Sequence, residues 1–492
     1  MKSVVMIAYA FPPEGNAGAY RPLRFARHLP ALGWRPIIIT LETDSFERYD
    51  PSLLSQVPKE IEVIRVGNRD PWQAFLAKRS QRVRTQLSQA SPVEADRILA
   101  SRQRPTRARL RELVRSLEAW CYHPDIAMGW ITPAAKAVEQ ACKHIRADVI
   151  WATAGPVSSF HVAEQASRRT GVPYVLDFRD AWTITFNEFE DRRPVWARQR
   201  DRRNMFRFLK GAQAVIFRYD TEAECYWRAY HGALEPSKIR IIPNGFEGEV
   251  ESFAASKNRK CELLYTGTLS DYRYDTLLDA IGSLKRSFPE EAARLHCHFV
   301  GEGTRAIEDR ARVLDLTEII TAEAAIPHGA VIQLSKQADA LLLLGRPAAM
   351  KGYELFAAAK LFGYLKAGKP IVGVLPADEA KRILQHVGVS TVADVDSVSD
   401  IIAVLRRVLR SWAGGTLESL LPDLTACRAY SAERQTQTLV SAFEGAPSLK
   451  SFVPGKVAIP DSLQKEIGRR EEVYKRESTA ISLQTYSSSS RP

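Results

Sequence analysis

The chain opens with Val4-Val5-Met6-Ile7-Ala8-Tyr9-Ala10-Phe11-Pro12-Pro13-Glu14-Gly15-Asn16-Ala17-Gly18-Ala19-Tyr20-Arg21. A short apolar run leads into a loop rich in proline and glycine, and a helical pattern follows. A short apolar run bounded by turn residues reads as a buried strand. A glycine-bearing loop between a strand and a helix exposes backbone N–H groups at a helix N-terminus, which suits a phosphate or a sugar hydroxyl. Gly15, Asn16 and Gly18 are the candidate ligand residues of this loop. The spacing is not the G-x-G-x-x-G fingerprint, so hydride transfer with a dinucleotide loses ground. Taken alone, the loop is either a structural turn or a ligand site.

Working outward, the same strand-then-helix unit repeats. Pro36–Thr40, Glu62–Val66, Asp148–Ala152, Tyr174–Asp177, Ala214–Phe217 and Ile239–Ile242 read as strands. Helices are expected over Arg21–Leu32 and Thr132–Ile145. Pro243-Asn244-Gly245 then forms a turn suited to a domain hinge. Beyond it the pattern restarts. Strands are expected at Glu262–Tyr265, His296–Val300, Ile319–Thr321, Ala340–Leu344 and Ile371–Val374. Helices are expected at Asp275–Arg286, Ala306–Leu314 and Ala358–Lys366, with Ser431–Phe443 as a last one. Alternation of this kind predicts parallel sheets covered by helices, and 492 residues exceed what one core supports. The expected division is a first domain over 1–244 with a basic helical insertion at about 75–120, and a second over 245–430. A helix over 431–446 then crosses back to the first domain, and 447–492 form a polar, partly disordered tail.

With 45% hydrophobic and 26% charged residues, the composition is that of an ordinary globular chain. No apolar run approaches the ~20 residues that span a bilayer. Met1-Lys2-Ser3 runs directly into the first strand, with no signal-peptide core or cleavage site. The six cysteines are scattered, so neither a disulfide framework nor a metal site is suggested. A reducing cytoplasm fits. Net charge is +12. Between Lys78 and Arg115 lie eleven Lys/Arg and three acids, a local balance of +8. Such a run is either a solvated helical face or an attractor of an anionic membrane, a pyrophosphate-bearing substrate or nucleic acid. Nucleic acid is the weakest of these, since no recognisable module surrounds the run.

Several further motifs fall at strand ends, in order. They are Pro124-Asp125 with Gly129-Trp130, Ala152-Thr153-Ala154-Gly155-Pro156 with His161, and Asp177-Phe178-Arg179-Asp180-Ala181-Trp182. After the hinge come Tyr265-Thr266-Gly267-Thr268, Val300-Gly301-Glu302-Gly303 and Lys360-Leu361-Phe362-Gly363-Tyr364-Leu365 with Gly368-Lys369-Pro370. Together with the opening loop, this series resembles bacterial glycosyltransferase family 4 over about residues 3–443. The closest element is Asp177–Trp182, with Ala181 where the family has proline.

The resemblance implies a GT-B architecture: an α/β fold of two Rossmann-like domains, their parallel sheets facing across a cleft, acceptor on the first and nucleotide sugar on the second. It implies a retaining transfer in which the leaving phosphate assists the acceptor proton, with no metal or other cofactor. The candidate catalytic residues are His161, Asp177, Arg179 and Asp180. Candidate donor-binding residues are Gly267, Thr268, Arg273, Gly301, Glu302, Glu354 and Lys360. Structural alternatives stand beside these roles: Arg179 bridging Asp177 and Asp180, Arg273 as a surface arginine at a helix start, and His161 as a structural donor. One departure matters. Where the family places a ribose-holding glutamate, this chain has Gly363, and Glu354 is the nearby candidate substitute. The expected function is transfer of a sugar from a nucleotide donor to a glycan or lipid-linked acceptor in cell-surface polysaccharide synthesis. The expected place is the cytoplasm, with a peripheral position on the inner face of the plasma membrane through the basic segment. The rivals are a nucleotide-sugar 2-epimerase on the same fold and a degenerate, non-catalytic scaffold.

Overall fold

The computed structural model describes residues 1–43, 46, 49–68, 122–184, 193–256, 258–269, 272–346, 357–446, 452–456, 459, 464, 467 and 468. Glu354, the basic run 78–115, Cys121 and most of the tail lie outside the described residues. The chain divides into two compact units, one of Met1–Ile242 with Thr436–Val457, the other built on Pro243–Gln435.

In the first unit the order is β1 (Lys2–Ile7), α1 (Tyr20–His28), β2 (Trp34–Leu41), β3 (Glu62–Val66), α2 (Met128–Ile145), β4 (Val149–Thr153) and α3 (Ser158–Thr170). Then come β5 (Tyr174–Asp177), α4 (Val195–Gly211), β6 (Ala214–Phe217), α5 (Asp220–Ala229) and β7 (Ile239–Ile241). The seven strands lie in the order β3-β2-β1-β4-β5-β6-β7, all parallel. Val4, Val5, Met6 and Ile7 of β1 are all buried, as a central parallel strand covered on both faces requires. The expected helix over Arg21–Leu32 splits in two. Pro30 starts a separate 3₁₀ turn, Pro30–Leu32, which Gly33 ends at φ +79°. Proline has no N–H to donate and cannot continue the α pattern.

In the second unit the order is β8 (Cys261–Thr266), α6 (Asp275–Ser287), β9 (Leu295–Val300), α7 (Arg305–Val313), β10 (Ile320–Glu323), α8 (His328–Gln337) and β11 (Ala340–Leu344). It continues with α9 (Lys360–Lys366), β12 (Ile371–Leu375), α10 (Glu379–His386), β13 (Val392–Asp394) and α11 (Val398–Ala413). Its six parallel strands run β10-β9-β8-β11-β12-β13. Each sheet therefore winds outward in two directions from its first strand, the doubly wound arrangement. The expected α/β class with two parallel Rossmann-like sheets holds.

Helix α12 (Ala432–Phe443) begins in the second unit and ends in the first. Leu439, Ala442 and Phe443 join Trp34, Val4, Met6 and Trp151 in the first unit's core. The second unit's core is assembled from alternate residues of β8 and β9, such as Leu263, Tyr265, Cys297 and Phe299, against Leu277 and Ile281 of α6 and Ile401 and Leu405 of α11.

Candidate functional site

In a doubly wound sheet, ligands gather beyond the carboxyl ends of the strands where the winding reverses. In the first unit that point lies between β1 and β4. Three loops meet there, after β1, β4 and β5. The Asn16 side chain caps the turn Ala17–Ala19 by accepting from Gly18 N. Arg179 reaches between the other two loops. Its Nη1 donates to Gly18 O and its Nη2 to Gly155 O at 2.7 Å. Gly18 and Gly155 have to be glycine: a Cβ on either would run into the Arg179 guanidinium, and Gly155 sits at φ +91°. Burial lowers the Arg179 pKa, partly opposed by Asp180 and Asp177.

Asp177 is 0% exposed at the end of β5. Arg21 donates to it twice, Nε to Oδ2 at 2.9 Å and Nη2 to Oδ1 at 2.7 Å. Thr153 Oγ1 adds a third bond at 2.9 Å. The alternative in which Arg179 bridges Asp177 and Asp180 is therefore corrected: Arg21 holds Asp177, and Arg179 serves the two glycine loops. Asp180 stands apart with a 70% exposed side chain, 4.0 Å from Arg179 Nε and 3.8 Å from Arg218 Nη1. Of the first unit's candidates, Arg179, Asp180, Asn16 and Gly18 come together, while Asp177 is sealed beneath them.

His161 goes elsewhere. It lies within α3, edge-on to Phe208 of α4 at 4.8 Å. Ser158 and Ser159, just ahead of it, are already helical. Burial, then the cations Arg207, His123 and Arg200, push the His161 pKa down to about 4. Its Nε2 is buried without a hydrogen-bond partner among the described residues. A ring that is neutral near pH 7 cannot donate a proton there as an imidazolium.

In the second unit the reversal lies between β8 and β11. Gly267 follows β8 at φ +116° and donates its N–H to Val300 O at 2.8 Å. Lys360, the first residue of α9, extends alongside it. A Cβ on Gly267 would come within 2.9 Å of Lys360 Nζ. That ammonium bonds Tyr265 Oη at 2.6 Å and lies 3.9 Å from the Tyr265 ring centroid and 4.7 Å from that of Tyr272. Tyr265 Oη in turn donates to Thr268 O at 2.8 Å. Arg346, beyond the end of β11, sits over Tyr272 at 5.5 Å. Burial first, and Arg346 second, lower the Lys360 pKa to about 7. Two cations and two ring faces thus converge on a glycine turn, a place suited to a diphosphate.

Gly301, at φ +151°, packs so closely on the Gly267 carbonyl that a Cβ would strike it. Glu302 contributes its carbonyl to Leu269 N at 2.9 Å, and the residue as a whole is exposed. Arg273 is engaged at the surface, its Nη1 2.6 Å from Asp396 Oδ1. Gly363 occupies the exposed face of α9, and a Cβ there would meet nothing within 4 Å. Sequence reasoning missed Arg21, Tyr265, Tyr272 and Arg346. A sign of Arg21 was available: it stands four residues before Phe25, on the same face of α1.

Residues 93–249 match the model of Glycosyltransferase Family 4. That match covers less than half of the chain. No curated protein sequence matches it. Among solved structures the chain is similar to sucrose-phosphate synthase from Thermosynechococcus elongatus, at 14% identity and TM-score 0.54, over 90% of this chain and 98% of that one. It is similar to the apo form of the lipopolysaccharide outer core galactosyltransferase WaaB, at 11% identity and TM-score 0.53, over 90% and 99%. It is also similar to a trehalose-6-phosphate protein of E. coli bound with UDP-2-fluoro glucose, at 9% identity and TM-score 0.53, over 90% and 99%. At these identities the likeness shows the fold, which is GT-B. Among the described residues no group of three or more His, Cys, Asp or Glu is arranged to hold a metal ion, and no helix is long and apolar enough to cross a membrane.

Proposed function

We propose that this chain is a glycosyltransferase that takes its sugar from a nucleotide-sugar donor whose diphosphate binds at the end of β8, beside Gly267 and Thr268. The observation that carries this reading is Lys360, held against Gly267 by Tyr265 and Tyr272 with Arg346 close by. On transfer, the bond from the sugar's anomeric carbon to the phosphate oxygen breaks. The acceptor hydroxyl oxygen bonds to that carbon on the same face, and its proton passes to the departing phosphate oxygen. Negative charge grows on the nucleoside diphosphate, and a fixed, partly desolvated cation is placed to stabilise it. Lys360 and Arg346 supply that charge without a metal, and Arg273 is a further candidate once it leaves Asp396. The acceptor, a glycan or a lipid-linked glycan of the cell surface, is assigned to the first unit, where Asp180 offers an exposed carboxylate to hydroxyl groups. The UDP-2-fluoro glucose held by one structural neighbour suits this reading of the donor. A cytoplasmic enzyme at the inner membrane face fits such an acceptor.

Titration calorimetry against a panel of UDP-, GDP- and ADP-sugars tests the donor assignment. At least one should bind, and Lys360→Ala should weaken it at least tenfold. A folded wild-type protein that binds none of them would sink the proposal. Gly363 favours a second reading, a scaffold that has lost its donor, because glycine offers no carboxylate to a ribose. Donor binding by Gly363→Glu but not by the wild type would support that reading.

A further inference from the structure

Outside the two strand-end sites, the strongest feature lies on α4, whose sequence VWARQRDRRNMFRFLKG holds six Lys/Arg and one acid. Trp196, Arg200, Arg203, Arg207 and Lys210 are all exposed. Their spacing of four, three, four and three residues aligns them in one stripe along the helix. At 1.5 Å per residue the stripe runs about 21 Å. Behind it, Ala197, Met205, Phe208 and Leu209 are buried and anchor the helix. The single acid, Asp201, is turned inward to Arg193 at 2.6 Å and His123 at 2.8 Å. Arg207 shares Glu164 of α3 with Arg168, at 3.1 and 3.7 Å. Arg200 and Arg203 have no acidic partner among the described residues.

One end of the stripe is apolar. Val195 and Trp196 are 60% and 38% exposed. The loop before α2 is tied to this end by Arg193 Nη2 donating to Pro124 O at 3.1 Å and by the His123–Trp196 ring contact at 5.6 Å. The same loop adds Ile126, and α2 opens with Met128, both exposed. Lys238, whose Nζ donates to Lys210 O at 3.1 Å, extends the charge at the far end.

We infer that this face of the first unit docks on an anionic lipid bilayer. The cations lie over the headgroups, while Val195, Trp196, Ile126 and Met128 enter the interface between headgroups and acyl chains. Tryptophan and aliphatic side chains beside arginines form the pattern of an interfacial helix. Nucleic acid would also meet the cations, but it offers nothing to Val195, Ile126 and Met128. The face does not depend on the donor site, and it is separate from the basic run at 78–115.

The test sediments the full-length protein with vesicles of phosphatidylglycerol and phosphatidylcholine, and with phosphatidylcholine alone. Binding should require the anionic lipid and weaken with salt. Arg200→Glu with Arg203→Glu should lower partition about tenfold or more. Brominated lipid should quench tryptophan emission in the wild type and less in Trp196→Phe. Donor binding by calorimetry should be the same in all these proteins, so failure here is distinct from failure of the donor assignment. Three results would overturn the inference. The wild type binds no vesicle; or the double variant partitions unchanged, as it would if residues 78–115 alone held the membrane; or the variants lose binding to duplex DNA while none binds lipid.

Discussion

Lys360 is placed to make donor recognition depend on pH. An ammonium whose pKa has fallen from 10.5 to about 7 is charged only below neutrality in the free protein. Donor affinity should therefore weaken as pH rises from 6 to 8, and donor binding near pH 7 should take up a proton. Calorimetry in buffers of different ionisation enthalpy measures that uptake directly. The sign for stability is the opposite. Between pH 7 and 10.5 the unfolded chain holds the Lys360 proton and the folded chain does not, so this group favours folding increasingly as pH rises. A second prediction concerns Arg179. Gly18→Ala places a methyl group 2.5 Å from the Arg179 guanidinium, an overpacking that should cost about 1–3 kcal/mol. Arg179→Ala should relieve part of that cost, and a double-mutant cycle by thermal melting reads the coupling. The sequence marked Asp177 as a site residue because charged groups at strand ends usually are. Its burial under Arg21 was not legible there, because the two are 156 positions apart and only the fold brings them together.

At the level of elements, strands read more clearly than helices. Tyr174–Asp177, Ala214–Phe217 and Ala340–Leu344 are unbroken apolar runs or nearly so, and their ends agree with the structure. Helices α3, α4, α5, α8, α10 and α11, and strand β13, went unread. Helix α4 shows why: with its stripe of cations facing solvent, it presents no apolar periodicity strong enough to stand out. Helix α9 carries the departure at Gly363 on an open, exposed face. Gly363→Ala should stabilise the second unit by about 0.5–1 kcal/mol through helix propensity alone, and denaturant titration checks this. On β8, β9 and β10, Glu262 bonds His296 Nδ1 at 2.5 Å and His298 Nδ1 at 3.1 Å. Burial raises the Glu262 carboxyl, but the two histidines outweigh it and hold it at about 2. The hydrogen bond that His298 donates to Glu262 is the main cause of the raised His298 pKa. Glu262 therefore adds stability above its ordinary pKa of 4.5, lost as pH falls toward 2. His298 adds stability below 6.5, lost as pH rises through its folded value. This loss opposes the gain from Lys360, so His298→Gln should make the change in melting temperature from pH 6 to 8 more positive than in the wild type.

For the whole molecule, what was legible was the repetition: two series of strand and helix, a turn between them, and a final helix. The sequence could not show how completely that helix belongs to the first unit. Phe443 lies edge-on to Trp34 at 5.1 Å, and Leu439 and Ala442 are fully buried beside it. Phe443→Ala should cost about 3–5 kcal/mol. A chain ending at Tyr430 should lose the first unit's melting transition while keeping the second's, as differential scanning calorimetry would show. The same feature sets an order of events during synthesis. The first unit's sheet precedes the second's in the chain, yet its core is closed by residues that leave the ribosome after the second unit's sheet has emerged. Domains usually fold in the order they are made. Here the sheet of the later one can form first, and the earlier one waits, with the seat for α12 still open, until Phe443 has been translated.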